Sequence, residues 1–179
     1  MGLERGEGGA LLLALCFLYS VNIRLLQRQP TLQQLLSGLL FGAICVVGML
    51  KPLQLAPGVI IDARSVVLSM AALFGGPWAA AISTAMAAAM RLALGGAGVG
   101  IGLLVIVWCS VAGLAYRHAL RRGRVHARPL ALLTFGLLLH LSVLGMFQGL
   151  EPAAVARVNS QLALPYLLVF GPATMFLGW

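Results

Sequence analysis

The stretch GVIIDARSVVLSMAALFGGPWAAAISTAMAAAMRLALGGAGVGIG, residues 58–102, decides how this chain folds. Two apolar runs meet at Gly75-Gly76-Pro77, a combination that stops one helix and starts the next. The first run, about 59–74, and the second, about 77–93, predict an antiparallel hairpin of helices. Arg64 and Arg91 flank it, and Asp62 lies two residues before the first arginine. Ionisable side chains at membrane depth are costly, and where they persist they point to function. Measured from the tip at about 1.5 Å per residue, Asp62 and Arg91 differ in depth by roughly 3 Å, and Arg64 and Arg91 by roughly 6 Å. The three charges sum to +1, which leaves room for one small anion. An arginine fork takes a carboxylate through two parallel hydrogen bonds. The competing arrangement is an Asp62–Arg91 ion pair, with Arg64 reaching to the headgroups.

Composition sets the solvent. Hydrophobic residues make up 61% of the 179 and charged residues 9%, whereas a soluble domain carries about 25% charged residues. Such a chain is counted in membrane spans of about 17–25 residues. Outward from the hairpin, segment one covers about 9–26, segment two about 33–50 after the polar QRQPTLQQ link, and segment five ends near Tyr116. Segment six covers about 129–148 and segment seven about 162–179. The expected fold is all-α: a polytopic α-helical membrane protein of six to seven transmembrane helices, forming one domain over 1–179 with a core of about 30–179. The N-terminus lacks the basic start and cleavage site of a signal peptide, so segment one reads as a retained span.

Charge sets the orientation. With seven crossings, Arg24, Arg28, Arg117, Arg121, Arg122, Arg124 and Arg128 share a face that holds no acid, and all four acids fall on the other. The positive-inside rule makes the first face cytoplasmic, with the C-terminus on it. The net charge of +8 therefore speaks for anionic lipid rather than nucleic acid, because the basic residues sit beside apolar spans.

Other motifs are weaker. Gly95, Gly96, Gly98, Gly100 and Gly102 fit neither GxGxxG nor a Walker loop, so they read as close packing or a turn lining the pocket. GxxxG spacings at Gly38/Gly42, Gly98/Gly102 and Gly145/Gly149 read as helix contacts, and AAAISTAMAAAM (79–90) marks segment four as the central helix. His140 falls near mid-membrane, where a hydrogen-bonded interior histidine and a ligand contact are both open. Ser83 and Thr84 are expected to bond their own helix backbone; Gln148 and Asn159 are candidates for the pocket rim. Trp78 and Trp179 suit the interface, and Trp108 reads as core. Cys16, Cys45 and Cys109 lie in apolar runs without metal-ligand spacing. Neither HExxH nor GxSxG occurs, so neither an enzyme activity nor a cofactor is expected within these residues.

The D-x-R at Asp62–Arg64, the GGP at 75–77, the R-x-x-x-G-G at Arg91–Gly96, the FG-x(5)-G from Phe41 and the closing LPYLLVFGPATMFLG (164–178) together resemble the LytS/YhcK-type five-transmembrane sensor domain. The resemblance covers roughly 20–179 and is specific in the central block. It implies a multi-pass bacterial inner-membrane input domain ahead of a cytoplasmic output domain in cis. That output domain would be a histidine kinase, or GGDEF and EAL domains acting on cyclic di-GMP. It also implies sensing of small carboxylates such as pyruvate, and homodimers formed through the output domains. Arg64 and Arg91 become ligand contacts, with Asp62, Gly95, Gly96 and His140 as further pocket candidates. Asp62 stands where LytS-like members have Asn, which favours the cyclase-associated branch. The hairpin is also similar to that of energy-coupling-factor vitamin transporter subunits, so a transporter substrate-binding subunit is the alternative. The chain reaches Trp179 at the end of a span, either as a whole transporter-like protein or as the membrane portion of a longer one.

Overall fold

A computed structural model describes residues 29–50, 53–56, 59–61, 64–96, 98–126, 128–149, 155–156 and 163–178. Segment one, Asp62, Asn159 and Trp179 lie outside the described residues. The longer helical elements among the described residues are α1 (Pro30–Leu50), α2 (Arg64–Met70, continuing as a π-helical turn Ala71–Gly75), α3 (Pro77–Leu94), α4 (Val99–Arg121), α5 (Pro129–Phe147) and α6 (Ala163–Gly178). Four of them, α1, α3, α4 and α5, are long and apolar enough to cross a membrane.

Local signals account for most boundaries. Pro77 and Pro129 open α3 and α5 from the first turn, where a missing N–H costs nothing. The break between α2 and α3 falls at Gly76, whose φ of 94° is open to glycine but strained for other residues. Two boundaries differ from the sequence reading. α1 starts at Pro30, three residues early, again with proline at the helix start. α4 runs on to Arg121, so the first turn of the basic stretch is helical rather than loop.

The larger difference lies before α2. Residues expected to begin a helix at 59 instead form a two-stranded antiparallel hairpin, β1 (Leu53–Ala56) and β2 (Val59–Ile61), with Leu53 opposite Ile61. α2 is therefore only twelve residues, Arg64–Gly75, about 18 Å at 1.5 Å per residue. It cannot cross a hydrocarbon core of about 30 Å. Non-helical backbone at such depth survives only when protein surrounds it or it lines a cavity.

α2 is also the central helix, a role the small-residue run had assigned to segment four. Ser65 to Leu73 are all buried, and Phe74 is its exposed side chain. α3 buries only Ala79, Ala80, Ser83 and Ala87 and leaves its other side outward. The small residues of α3 serve instead as a flat surface for α1. A Cβ on Gly38 would stand 2.9 Å from Ile82 Cβ and 3.0 Å from Ala79 Cα, and one on Gly42 would stand 2.5 Å from Met86 Sδ. α5 and α6 make the second tight pair, with Gly136 against Thr174 and Gly171 against Leu137. α2 and α4 sit between the two pairs, joined where Gly113 faces the Ser69 carbonyl and Ala72.

The outer surface is apolar. Leu130, Leu138, Leu168 and Phe176 are each about two-thirds exposed or more, as suits a protein solvated by lipid. Trp108, expected in the core, is 40% exposed, and its indole N–H donates to Ser142 Oγ at 2.8 Å. Gly145 meets nothing within 4 Å, so the Gly145/Gly149 spacing is not a two-point helix contact.

Replacing Gly38 with Val should overpack the α1–α3 seam and destabilise the bundle by about 1–3 kcal/mol. Gly145→Val should leave stability unchanged. Thermal unfolding of the two variants in detergent, compared with the parent, measures both.

Candidate functional site

Two ends of the bundle carry polar groups. The first is the tip, at Gly75-Gly76-Pro77. The last carbonyls of a helix have no partner within it, and α2 ends inside protein. Arg117 Nη1, from the penultimate turn of α4, donates to Leu73 O at 2.5 Å and to Phe74 O at 3.0 Å. Gln34 Oε1 accepts from the Trp78 backbone N–H at 3.4 Å, across the start of α3. The tip is thus tied to α1 and α4.

The far end carries the residues singled out by the sequence. Arg64 opens α2, half-buried, with Nη1 reaching Met49 Sδ of α1 at 3.8 Å. Arg91 lies in the last turn of α3, also half-buried, and its Nη1 donates to Gly95 O at 3.1 Å. Its side chain passes over Gly102 of α4, where a Cβ would stand 2.5 Å from Nε and 3.1 Å from Cδ. Gly102 therefore provides the groove for Arg91, and the arginine lies along α4. Gly95 ends α3: its N–H bonds back to Arg91 O and Leu92 O, and its φ of 65° is left-handed. Gly96 is likewise left-handed at 92° and exposed. The pair forms a chain reversal whose first carbonyl is held by Arg91.

Beneath Arg64 lies a polar chain. His140 of α5 is fully buried, and its Nδ1–H donates to Gly136 O at 2.6 Å. Nε2 is then the acceptor and takes the Ser65 hydroxyl at 3.1 Å. Ser65 Oγ in turn accepts from Tyr166 OH of α6 at 3.3 Å. The His140 ring meets Tyr166 edge-on at 5.1 Å and stacks on Phe170 at 5.7 Å. This arrangement satisfies His140 as an interior hydrogen-bonded group. It also links α2, α5 and α6 through the residue next to Arg64.

The far end thus draws on each of α1 to α6: Met49, Arg64 with Ser65, Arg91, Gly102, His140 and Tyr166. Ser65, Tyr166 and Met49 were not singled out as site residues, whereas Gly102 was named within the glycine-rich stretch read as close packing or a turn lining the pocket. Ser65 adjoins the D-x-R, and Tyr166 sits inside the closing motif, which are the signals that mark them. Asp62 lies outside the described residues. Gln148 bonds its own helix, at Leu144 O, 3.3 Å. Ser83 bonds Ala79 O at 2.8 Å as expected, but Thr84 pairs with Ser110 of α4 at 2.5 Å. Among the described residues no cluster of His, Cys, Asp and Glu is able to hold a metal ion.

An apolar-skinned bundle with full-length spans around a short buried helix, and arginines at one end of it, defines a multi-pass α-helical membrane domain with an interior polar layer. The family model described as the 5TMR of 5TMR-LYT, a five-transmembrane region, matches residues 19–178, and the chain belongs to that family. It is a membrane sensor input domain of the kind found in signalling receptors. No curated protein and no solved structure matches the chain. The likeness to energy-coupling-factor transporter subunits rests on the sequence hairpin alone.

Ser65→Ala would leave His140 Nε2 without its donor and Tyr166 OH without its acceptor. It should cost about 1–3 kcal/mol, because buried polar groups lose both water and partner. Tyr166→Phe, which removes the tyrosine hydroxyl alone, should cost about 1 kcal/mol. Denaturant titration of detergent-solubilised protein distinguishes them.

Proposed function

We propose that the far end binds a small carboxylate from the extracytoplasmic side, with Arg64 and Arg91 as its principal contacts. The observation that carries this reading is the placement of both arginines at one end of the α2–α3 hairpin, where Arg64 adjoins Ser65 and the polar chain that reaches α6. The four acids of the chain, Glu4, Glu7, Asp62 and Glu151, all lie outside the described residues. A ligand carboxylate would be held bidentately by a guanidinium fork.

The orientation in this proposal follows the charge asymmetry, which puts Arg117, Arg121, Arg122, Arg124 and Arg128 on the cytoplasmic face. α6 then ends in the cytoplasm and leads to an output domain in cis, a GGDEF/EAL cyclic di-GMP enzyme or a histidine kinase, paired with a second copy. Ser65 couples the two. A ligand that displaces Arg64 moves the serine beside it, and with it the Tyr166 hydroxyl on α6. Such a ligand shifts the resting equilibrium only if it binds one packing of α2 against α6 better than the other.

Binding of a panel of small carboxylates that includes pyruvate, followed by isothermal titration calorimetry in detergent, tests the pocket. Arg64→Ala and Arg91→Ala should each weaken the bound member at least about tenfold, since a charged hydrogen bond contributes about 1.5–3 kcal/mol. Gly102→Leu should do the same by evicting Arg91 from its groove. Undiminished affinity in both arginine variants would remove the pocket. The coding sequence past Trp179 separates signalling from transport: an output domain fits the first, and a stop codon beside ATPase genes the second.

A further inference from the structure

The tip end holds a second candidate that the carboxylate reading does not use. A cleft of about 210 Å³ opens between the end of α2, the last turns of α4 and the start of α5, lined by Leu73, Phe74, Arg117, Leu120, Arg121 and Leu132. Its lining divides by chemistry. Leu73, Phe74, Leu120 and Leu132 make an apolar floor. Arg117 and Arg121 stand one helical turn apart on the same side of α4 and make a cationic wall. Arg117 is anchored there by its bonds to the Leu73 and Phe74 carbonyls, so the wall is built rather than floating. Arg121 is exposed, as are Arg122, Arg124 and Arg128 beyond it.

Charge and depth together select the occupant. The 117–128 stretch contains no acid, and no described residue elsewhere supplies one. The cleft lies where α4 leaves its apolar span, with Arg121 nearer the helix end than Arg117 and the apolar floor behind them. A free hydrated anion would gain the arginines but leave the exposed Phe74 and half-buried Leu120 uncovered. A phospholipid offers both parts in the matching order, a phosphate at headgroup level and an acyl chain beneath. Basic pockets between transmembrane helices hold anionic headgroups in this way.

We propose that this cleft is a specific site for an anionic phospholipid. Its phosphate sits at Arg121, with the positive charge of Arg117 behind it, and its chain lies over Phe74 and Leu120. Because Arg117 also holds the end of α2, the bound lipid touches the segment that closes the central helix.

Native mass spectrometry of the detergent-solubilised protein, titrated separately with phosphatidylglycerol, phosphatidylcholine and inorganic phosphate, provides the test. One phosphatidylglycerol should be retained per chain in preference to phosphatidylcholine. Arg121→Gln should reduce that preference about fivefold, from the loss of one basic contact at the surface. Leu120→Glu, which sets a negative charge in the half-exposed part of the floor, should reduce it at least as far. Arg124→Gln, outside the cleft, should leave it intact. Equal retention of both lipids, undiminished preference in Arg121→Gln, or equal losses in Arg121→Gln and Arg124→Gln would overturn the site. Displacement of the lipid by millimolar phosphate would overturn the lipid assignment in favour of a plain anion site. None of these readouts involves Arg64 or Arg91, so their failure is separable from that of the carboxylate pocket.

Discussion

In hydrocarbon every backbone N–H and C=O must find a partner within the protein, and one short helix puts that rule under most pressure here. α2 is too short to span, is enclosed along its length, and ends in a π-helical turn. Its final carbonyls have no continuing helix to receive them. Arg117 supplies the missing donors from α4, and this one side chain lets a broken helix end inside the bundle. The rest of the architecture follows from enclosing α2: α1 and α3 close over one side, α5 and α6 over another, and α4 bridges them. Glycines at Gly38, Gly42, Gly136 and Gly171 bring the surrounding helices into close pairs, and Gly113 brings α4 against α2 itself.

The same enclosure explains why the polar groups matter. Interior polar side chains within a membrane bundle carry no water to fall back on, so each must be held by another. His140, Ser65 and Tyr166 solve this jointly, each using the next, with Gly136 O as the terminus. A network of this kind is coupled by construction. Moving α2 by a fraction of an ångström lengthens bonds on α5 and α6 at once, which suits a domain whose task is to transmit a change.

Much of this was legible in the sequence and part was not, for physical reasons. The break at Gly75-Gly76-Pro77 was readable because Gly and Pro act locally, whatever surrounds them. Gly38 and Gly42 were readable because small residues four apart make a flat helix face. The identity of the central helix was not. In water, a buried face is apolar and the other polar; in lipid both faces are apolar, so Val66-Val67-Leu68 reads the same whether it meets protein or acyl chains. The same ambiguity hid the outward position of Trp108 and led Gly145 to be read as a contact. The β-hairpin at 53–61 was hidden for a different reason. Val59–Ile61 is only a short apolar run before Asp62 and Arg64, and short apolar runs do not distinguish strand from helix. At the candidate site, the arginines were visible because charge is rare in this chain, whereas Ser65 and Tyr166 gain meaning only from what they touch.

Trp108 has a use of its own. Its indole lies on the lipid side of α4 and is tied by one hydrogen bond to Ser142 on α5, the neighbouring helix. Indole emission responds to hydrogen bonding and to solvent polarity. In a protein whose two other tryptophans were replaced, this side chain would serve as a built-in optical gauge of the α4–α5 seam. It would report sliding between those helices without any dye attached to the interior.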